Sequence, residues 1–307
     1  YAMSTFDIDK TTVVFGVRVE NTDVSSVGNI FAEDGDATDV ATRKTSQTYT
    51  DVFPSLNVKY DFNDRLIARG AVYTSLVRPA FGEMRPTVAL NDDQDEIELG
   101  NPDLDPYKAY NFDLSLEYYP TKLSVLSAGV FYKKIDNAIF PATYDIEDLP
   151  GNIDLSFLPA DILAGVGEVS TFINVDDSHV AGVEFNYVQS LDFLPGLLDG
   201  FLVSGNLTFT ESESTLPDGR DVPLLKQSDT IWNVSVGYEK GPWDLRVSAN
   251  YRGDYLDELF GVDDDFGNID RYTDDHLGVE ASVKYDVSDS LQVYLEGKNL
   301  ADEPEYY

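Results

Sequence analysis

The chain has 307 residues, no cysteine, two methionines and a formal net charge of −35 at neutral pH. The missing thiol excludes a disulfide scaffold and thiol catalysis, and the acidity leaves no basic patch to neutralise nucleic-acid phosphates. With 42% hydrophobic and 12% aromatic residues it is no disordered acidic tail, and no apolar run of about 18 residues offers a transmembrane helix. That last point says nothing against strands that cross a bilayer, which are short and only half apolar.

In chain order, the opening YAMSTFDIDK has neither the basic start nor the apolar core of a signal peptide. Residues 1–6 read as the tail of a strand and 7–10 as a turn. Residues 12–20 alternate, with Val13, Phe15, Val17 and Val19 opposed to Val14, Gly16, Arg18 and Glu20. A polar segment, 21–47, leads into a strand over 48–62, a short turn at Asn63-Asp64 and a strand over 65–76. Residues 78–105 form a long segment with Pro79, Pro86 and Pro102 and an acidic run over 91–98.

The clearest unit spans 100–131. Phe112, Leu114, Leu116 and Tyr118 fall on one face, and Asn111, Asp113, Ser115 and Glu117 on the other. A period of two marks a strand with unlike faces. A tight turn at Tyr119-Pro120-Thr121-Lys122 returns the chain as a second strand. Residues 137–177 read as a long loop with a short helix within 153–165. The alternation resumes over 180–191 (Val183, Phe185, Tyr187) and 201–210. It recurs after the polar loop 211–228, through Trp232, Val234, Val236 and Tyr238. Lys240-Gly241-Pro242 turns the chain into Leu245, Val247, Ala249 and Tyr251. An acidic loop, 253–274, is followed by Val279, Ala281, Val283 and Tyr285, a turn over 286–290 and a last strand over 291–298.

This makes about eleven antiparallel strands joined alternately by short and long connections. All the short ones lie at one end. Outer-membrane barrels segregate loops in this way, with short periplasmic turns and long extracellular loops. Tyr60, Phe62, Tyr118, Tyr119, Tyr238, Trp243 and Tyr285 gather at the short-turn end, as an interfacial girdle would. The fold class expected is all-β: an antiparallel transmembrane β-barrel, here an open curved sheet with free edges near Thr12 and Tyr294.

Five segments, taken together, resemble the C-terminal part of the barrel of TonB-dependent outer-membrane receptors. They are FPSLNVKYDFNDRLIARGAVYTSLVRPAFGEMRP (53–86), GNPDLDPYKAYNFDLSLEYYP (100–120), AGVFYKKIDNAIF (128–140), VAGVEFNYVQSLDFLPG (180–196) and YLEGKNLADEPEYY (294–307). The resemblance implies a barrel of about 22 strands with an N-terminal plug and uptake energised by the TonB complex. On it, residues 1–307 are expected to be the C-terminal part of that barrel, with plug, signal peptide and final strand lying outside the sequence. It further implies the outer membrane of a Gram-negative bacterium, contact with lipid and lipopolysaccharide, and a small-molecule nutrient as cargo. The stretches VPLLKQSDT, GYEKGPWDLRVSANYRGDYLDEL and DRYTDDH are similar to a branch found in nutrient-scavenging bacteria, where carbohydrate import is common.

No HExxH, P-loop or GxSxG motif is present, so the chain reads as a transporter and not an enzyme. His179 and His276 are far apart and read as loop hydrogen-bonders, with no metal. Two acidic clusters, Asp92, Asp93, Asp95 and Glu96, and Asp263, Asp264 and Asp265, suit either Ca²⁺ or solvated, mutually repelling loop surface. The polar face carries Arg18, Arg69, Glu117, Glu184, Asn186, Arg246, Asn250, Arg252, Glu280, Lys284, Glu296 and Lys298. There Arg246 and Arg252 are expected to pair with Glu280 or Glu239. Ligand contacts are expected from Tyr107, Tyr144, Phe172, Asn174, Tyr255, Phe260 and Tyr272, since aromatic faces beside amides and carboxylates suit sugars. The loops are read as lacking the Arg and Lys that an anionic siderophore would prefer, which with the net charge favours neutral or cationic solutes. A ferric-siderophore receptor of the same family, a passive porin-like barrel and an outer-membrane enzyme are the competing readings.

Overall fold

The computed structural model describes residues 1–30, 41–90, 96–151, 153–158, 160–259, 262–263, 267–268 and 270–304. In chain order the strands are β1 (Ala2–Ile8), β2 (Thr11–Ile30), β3 (Ala41–Asn63), β4 (Leu66–Val77), β5 (Val88–Leu90), β6 (Glu96–Leu99), β7 (Tyr107–Tyr118), β8 (Ser124–Asp136), β9 (Ala138–Asp145), β10 (Glu168–Val175) and β11 (Ser178–Ser190). They continue as β12 (Phe201–Thr215), β13 (Asp221–Val222), β14 (Thr230–Lys240), β15 (Trp243–Arg252), β16 (Tyr255–Glu258), β17 (Val262–Asp263), β18 (Gly267–Asn268), β19 (Arg271–Thr273), β20 (His276–Ser288) and β21 (Leu291–Gly297). Two one-turn helices, α1 (Phe81–Met84) and α2 (Ala160–Leu163), interrupt them.

Twelve of these strands form the wall, an antiparallel meander β1-β2-β3-β4-β7-β8-β11-β12-β14-β15-β20-β21. Each pairs with its neighbour in sequence order along the wall. The expected eleven become twelve because residues 2–8 form a complete strand, in register from Ala2↔Val17 to Ile8↔Thr11. The N-terminal free edge is therefore β1 and not Thr12; the other edge, β21, contains Tyr294 as expected. The sheet is open.

Side chains sort by parity. Phe112, Leu114, Leu116 and Tyr118 are exposed on the outer face, while Asn111, Asp113, Ser115 and Glu117 are less exposed on the inner one. The same outward row continues through Phe15, Leu56, Val72, Val130, Phe185, Val234, Val247 and Val283. Soluble monomers rarely leave so continuous an apolar surface bare; a lipid-facing barrel wall must. At the short-turn rim Tyr60 meets Phe62 edge-on at 4.8 Å and Trp243 lies 4.5 Å from Tyr285. Tyr119 departs from the expected girdle. It follows outward Tyr118, so alternation turns it inward, where its hydroxyl donates to Glu117, itself paired with Arg69 at 2.9 Å.

The buried apolar core lies above the wall. The long connections are folded, contrary to the loops expected. β2 and β3 stay paired as far as Ile30↔Ala41, well into the segment read as polar loop. The ladder of β8 with β11 ends at Ile135↔Ser178 and resumes as β9 with β10 from Ala138↔Val175. The break is made by Asn137 and Asp177, both at positive φ, a conformation Asn and Asp tolerate better than other side chains. β10 also pairs in parallel with β6, β6 pairs antiparallel with β5, and β5 meets the tip of β2 in parallel at Ile30↔Val88. The helix expected within 153–165 shrinks to α2.

This cap encloses two clusters. One gathers Val88, Ile97, Leu99, Leu155, Leu158, Val166 and Val169. The other gathers Ala138, Phe140, Ile173, Val175, Leu216, Val222 and Leu256. Each fully buried aliphatic side chain stabilises by roughly 1.5–3 kcal/mol, enough to hold segments with few strand ladders.

Candidate functional site: the mouth between wall and cap

Two adjoining cavities open where the inner face of the wall meets the cap. The first, about 760 Å³, has a wall of Ser75, Val77, Tyr107, Ala109, Asn111, Lys133 and Ile135 and a roof of Phe140, Pro141, Phe172 and residues 224–227. The second, about 670 Å³, is lined by Asn250, Arg252, Tyr255, Thr273, Asp274, Asp275 and His276. Asp257 and Arg271 border both. The Arg271 guanidinium lies 2.6 Å from Asp257 and from Glu258, and this carboxylate pair holds its pKa above the usual value.

The sequence-derived candidates divide. Tyr107 and Phe172 meet in the first cavity; the Tyr107 hydroxyl donates to the Ile139 carbonyl at 3.2 Å. Tyr255 lies in the second, its ring 3.7 Å from the Arg252 guanidinium carbon. Tyr144 packs on the cap cluster around Phe140, where burial, then the charge of Asp218, raises its pKa. Asn174 is engaged within the fold: its amide donates to the carbonyls of Asp105 (2.9 Å) and Asn137 (3.0 Å) and accepts from the Asp105 N–H (2.8 Å). Tyr272, on β19, is 53% exposed and lines neither cavity. Phe260 lies outside the described residues.

Asp92, Asp93, Asp95, Asp264 and Asp265 also lie outside them, and Asp263 is described for its backbone alone. The Glu96 carboxylate accepts from the Ser170 hydroxyl at 2.5 Å. Among the described residues no group of three or more His, Asp or Glu side chains is arranged to hold a metal. His179 stacks on Tyr132, 6.2 Å between centroids.

Two electrostatic expectations are corrected. Arg252 donates to Ser228 Oγ (3.1 Å) and to the Lys226 carbonyl (2.7 Å) instead of to a carboxylate. It lies opposite His276, four residues along β20 from Glu280, which at about 3.3 Å per residue is out of reach. Arg246 makes no ion pair among the described residues. The long connections do not lack cations, contrary to expectation. Arg78, Arg220, Lys226 and Arg271 all belong to them, each beside a carboxylate. Their charge was masked in the sequence by the acidic majority.

Sequence reasoning missed Asn111, Lys133, Asp257 and Arg271. The first two carry a usable signal, since both stand on the inward parity of their strands. Asn111 is buried at the cavity wall and its amide donates to Tyr73 O, Ser75 Oγ and Ala109 O. Asp257 and Arg271 come together only through the pairing of β16 with β19.

An open antiparallel wall with an apolar outside, a polar inside and a folded cap over its long-loop end is the architecture of an outer-membrane transport barrel. The family model described as TonB dependent receptor-like, beta-barrel matches residues 1–300. The chain belongs to that family and to the Gram-negative outer membrane. It is similar to the vitamin B12 transporter BtuB of Photobacterium profundum, 27% identical over 67% of this chain and 28% of that protein. It is also similar to the iron-regulated outer membrane virulence protein of Vibrio cholerae, 24% identical over 78% of this chain and 34% of that protein. The chain thus spans about a third of these relatives. Among solved structures, the copper transporter OprC superposes with a TM-score of 0.67 at 13% identity, over 97% of this chain and 41% of OprC. The ferric-catecholate import receptor Fiu of K12 E. coli gives 0.65 at 16%, over 96% of this chain and 38% of Fiu. At such identities the likeness is one of fold.

Proposed function

We propose that the receptor containing this chain takes up a small-molecule nutrient in a TonB-dependent step, with a plug domain filling the barrel, and that the solute is received between wall and cap. The observation that carries the reading is the first cavity. It combines the apolar faces of Tyr107, Phe140 and Phe172 with hydrogen-bonding Asn111, Lys133, Asp257 and Arg271. Sugars offer C–H faces and hydroxyls, which this lining matches, so an oligosaccharide is the favoured cargo. The ion-paired cations at the same cavity favour a second reading, a ferric siderophore whose anionic groups would compete for Arg271. The iron-related names of similar proteins point the same way.

Uptake of labelled oligosaccharides and of ferric chelates by cells carrying the full receptor, with and without a working TonB complex, tests both. Sugar uptake that stops without TonB supports the proposal. Uptake of ferric chelates alone selects the second reading, and uptake that persists without TonB identifies a passive pore.

A further inference from the structure

One short-end connection is much longer than the rest. β1–β2, β3–β4, β14–β15 and β20–β21 are joined by two-residue turns, and the connection between β7 and β8 takes five residues, 119–123. Between β11 and β12 the chain takes ten residues, 191–200. The hairpin is already closed at its base, where the Leu191 N–H donates to the Phe201 carbonyl at 2.8 Å. The extra residues are therefore not needed for the reversal. They carry Phe193, Leu197 and Leu198 at 65%, 73% and 50% exposure, where a turn in water favours polar residues.

The side on which this segment lies is fixed by Lys240. On β14 that residue has the outward parity of Trp232, Val234, Val236 and Tyr238 and stands opposite Trp243. Its ammonium donates to the Gly196 carbonyl and to the Asp199 carboxylate. A Cβ on Gly200 would meet Lys240 Cβ at 3.0 Å and Tyr238 Cε2 at 3.1 Å. The segment is thus folded outward, against the rim that carries Phe201–Tyr238 and Trp243–Tyr285, and away from the lumen.

We propose that residues 191–200 form a membrane foot, seated at the headgroup–acyl boundary of the periplasmic leaflet. Its apolar side chains continue the lipid-facing band of the wall. Asp199 neutralises the Lys240 ammonium within the fold, which lowers the cost of bringing that charge to an interface. Local hydrogen bonds, Leu194 N–H to Leu191 O at 2.9 Å and the 3-10 turn Leu198–Gly200, compact the backbone. Amphipathic segments bind interfaces through such buried apolar area. The foot is independent of the solute and of the uptake mechanism.

The test uses the full receptor in phosphatidylethanolamine–phosphatidylglycerol vesicles, with nitroxide labels on Phe193→Cys, Leu197→Cys and, as a polar-turn control, Ser290→Cys. Labels at 193 and 197 should be several-fold more accessible to oxygen than to a water-soluble nickel complex, with the reverse at 290. Adding Lys240→Ala should shift both foot labels toward the nickel complex. Nickel accessibility at 193 and 197 equal to that at 290 overturns the proposal by placing the turn in water. Immobile labels shielded from both reagents overturn it by placing the turn against protein. All labelled positions are exposed, so folding should persist.

Discussion

At the residue scale, the clearest case is Asn174. Its amide holds residues 69 and 37 positions away, Asp105 and Asn137, and so ties the approach to β7 to the bend between β8 and β9. Asn174→Ala removes three hydrogen bonds and should cost about 1–3 kcal/mol locally. Hydrogen exchange at the Asp105 amide, which donates to Asn174 Oδ1, should accelerate while exchange in the wall does not change. Gly100 makes a second case. A Cβ there would lie 2.4 Å from the Arg85 carbonyl oxygen, a backbone atom that cannot swing aside. Gly100→Ala should therefore displace the 83–86 segment and its buried Met84 and Pro86, seen as new protease sensitivity within residues 80–90. Asn174 also shows where single residues become unreadable in a sequence. A side-chain amide advertises two donors and an acceptor, but nothing in the chain order says they are already spent on loops far away. Tyr119, by contrast, was readable: strict alternation after Tyr118 sends it inward, and only its aromatic character suggested the girdle.

At the scale of elements, Asp218 and Arg220 close the hairpin between β12 and β13, with Leu216 N–H donating to Arg220 O at 2.8 Å. Burial pushes the Asp218 carboxyl up, but the Arg220 N–H and guanidinium pull it down further, so its pKa lies below the usual value. A folded pKa below the unfolded one, about 3.9, gives stability that is fully present above that pH and fades as pH falls through the folded value. Exchange at the Leu216 amide, corrected for intrinsic rate, should rise below about pH 4, and Arg220→Gln, which removes the guanidinium but keeps the backbone N–H bond to Asp218, should weaken that dependence. The wall strands were legible because each separates two solvents, and lipid outside with a polar lumen inside writes a period of two into the sequence. The cap was not. Its clusters assemble Ile97, Leu158 and Val169 from separate segments, each too short to show a period, so they read as loop. Acidity deepened the illusion, because surface carboxylates outnumber the few buried aliphatics that hold the cap together.

For the molecule as a whole, the apolar residues serve two different purposes. In the cap they are buried, and truncation leaves a cavity: Leu256→Ala, at a fully buried position, should cost about 2–5 kcal/mol. In the wall they are exposed, and what destabilises is charge. Among the described residues β1 and β21 each carry one unpaired edge, and each unsatisfied backbone group in hydrocarbon costs several kcal/mol, so these edges need partners for the sheet to sit in a bilayer. Between them the outward face must stay neutral through the membrane's thickness. Leu114, 59% exposed near the middle of β7, and Ser115, its inward neighbour, separate the two environments by one residue. In the full receptor, Leu114→Arg should destabilise by about 2–4 kcal/mol in equilibrium unfolding from lipid bilayers. Ser115→Arg should cost far less, because its guanidinium enters a face that already holds Arg69 and Glu117. Equal losses for the two variants would mean that both faces of the sheet meet the same medium, and the barrel reading of the alternation would fall with them.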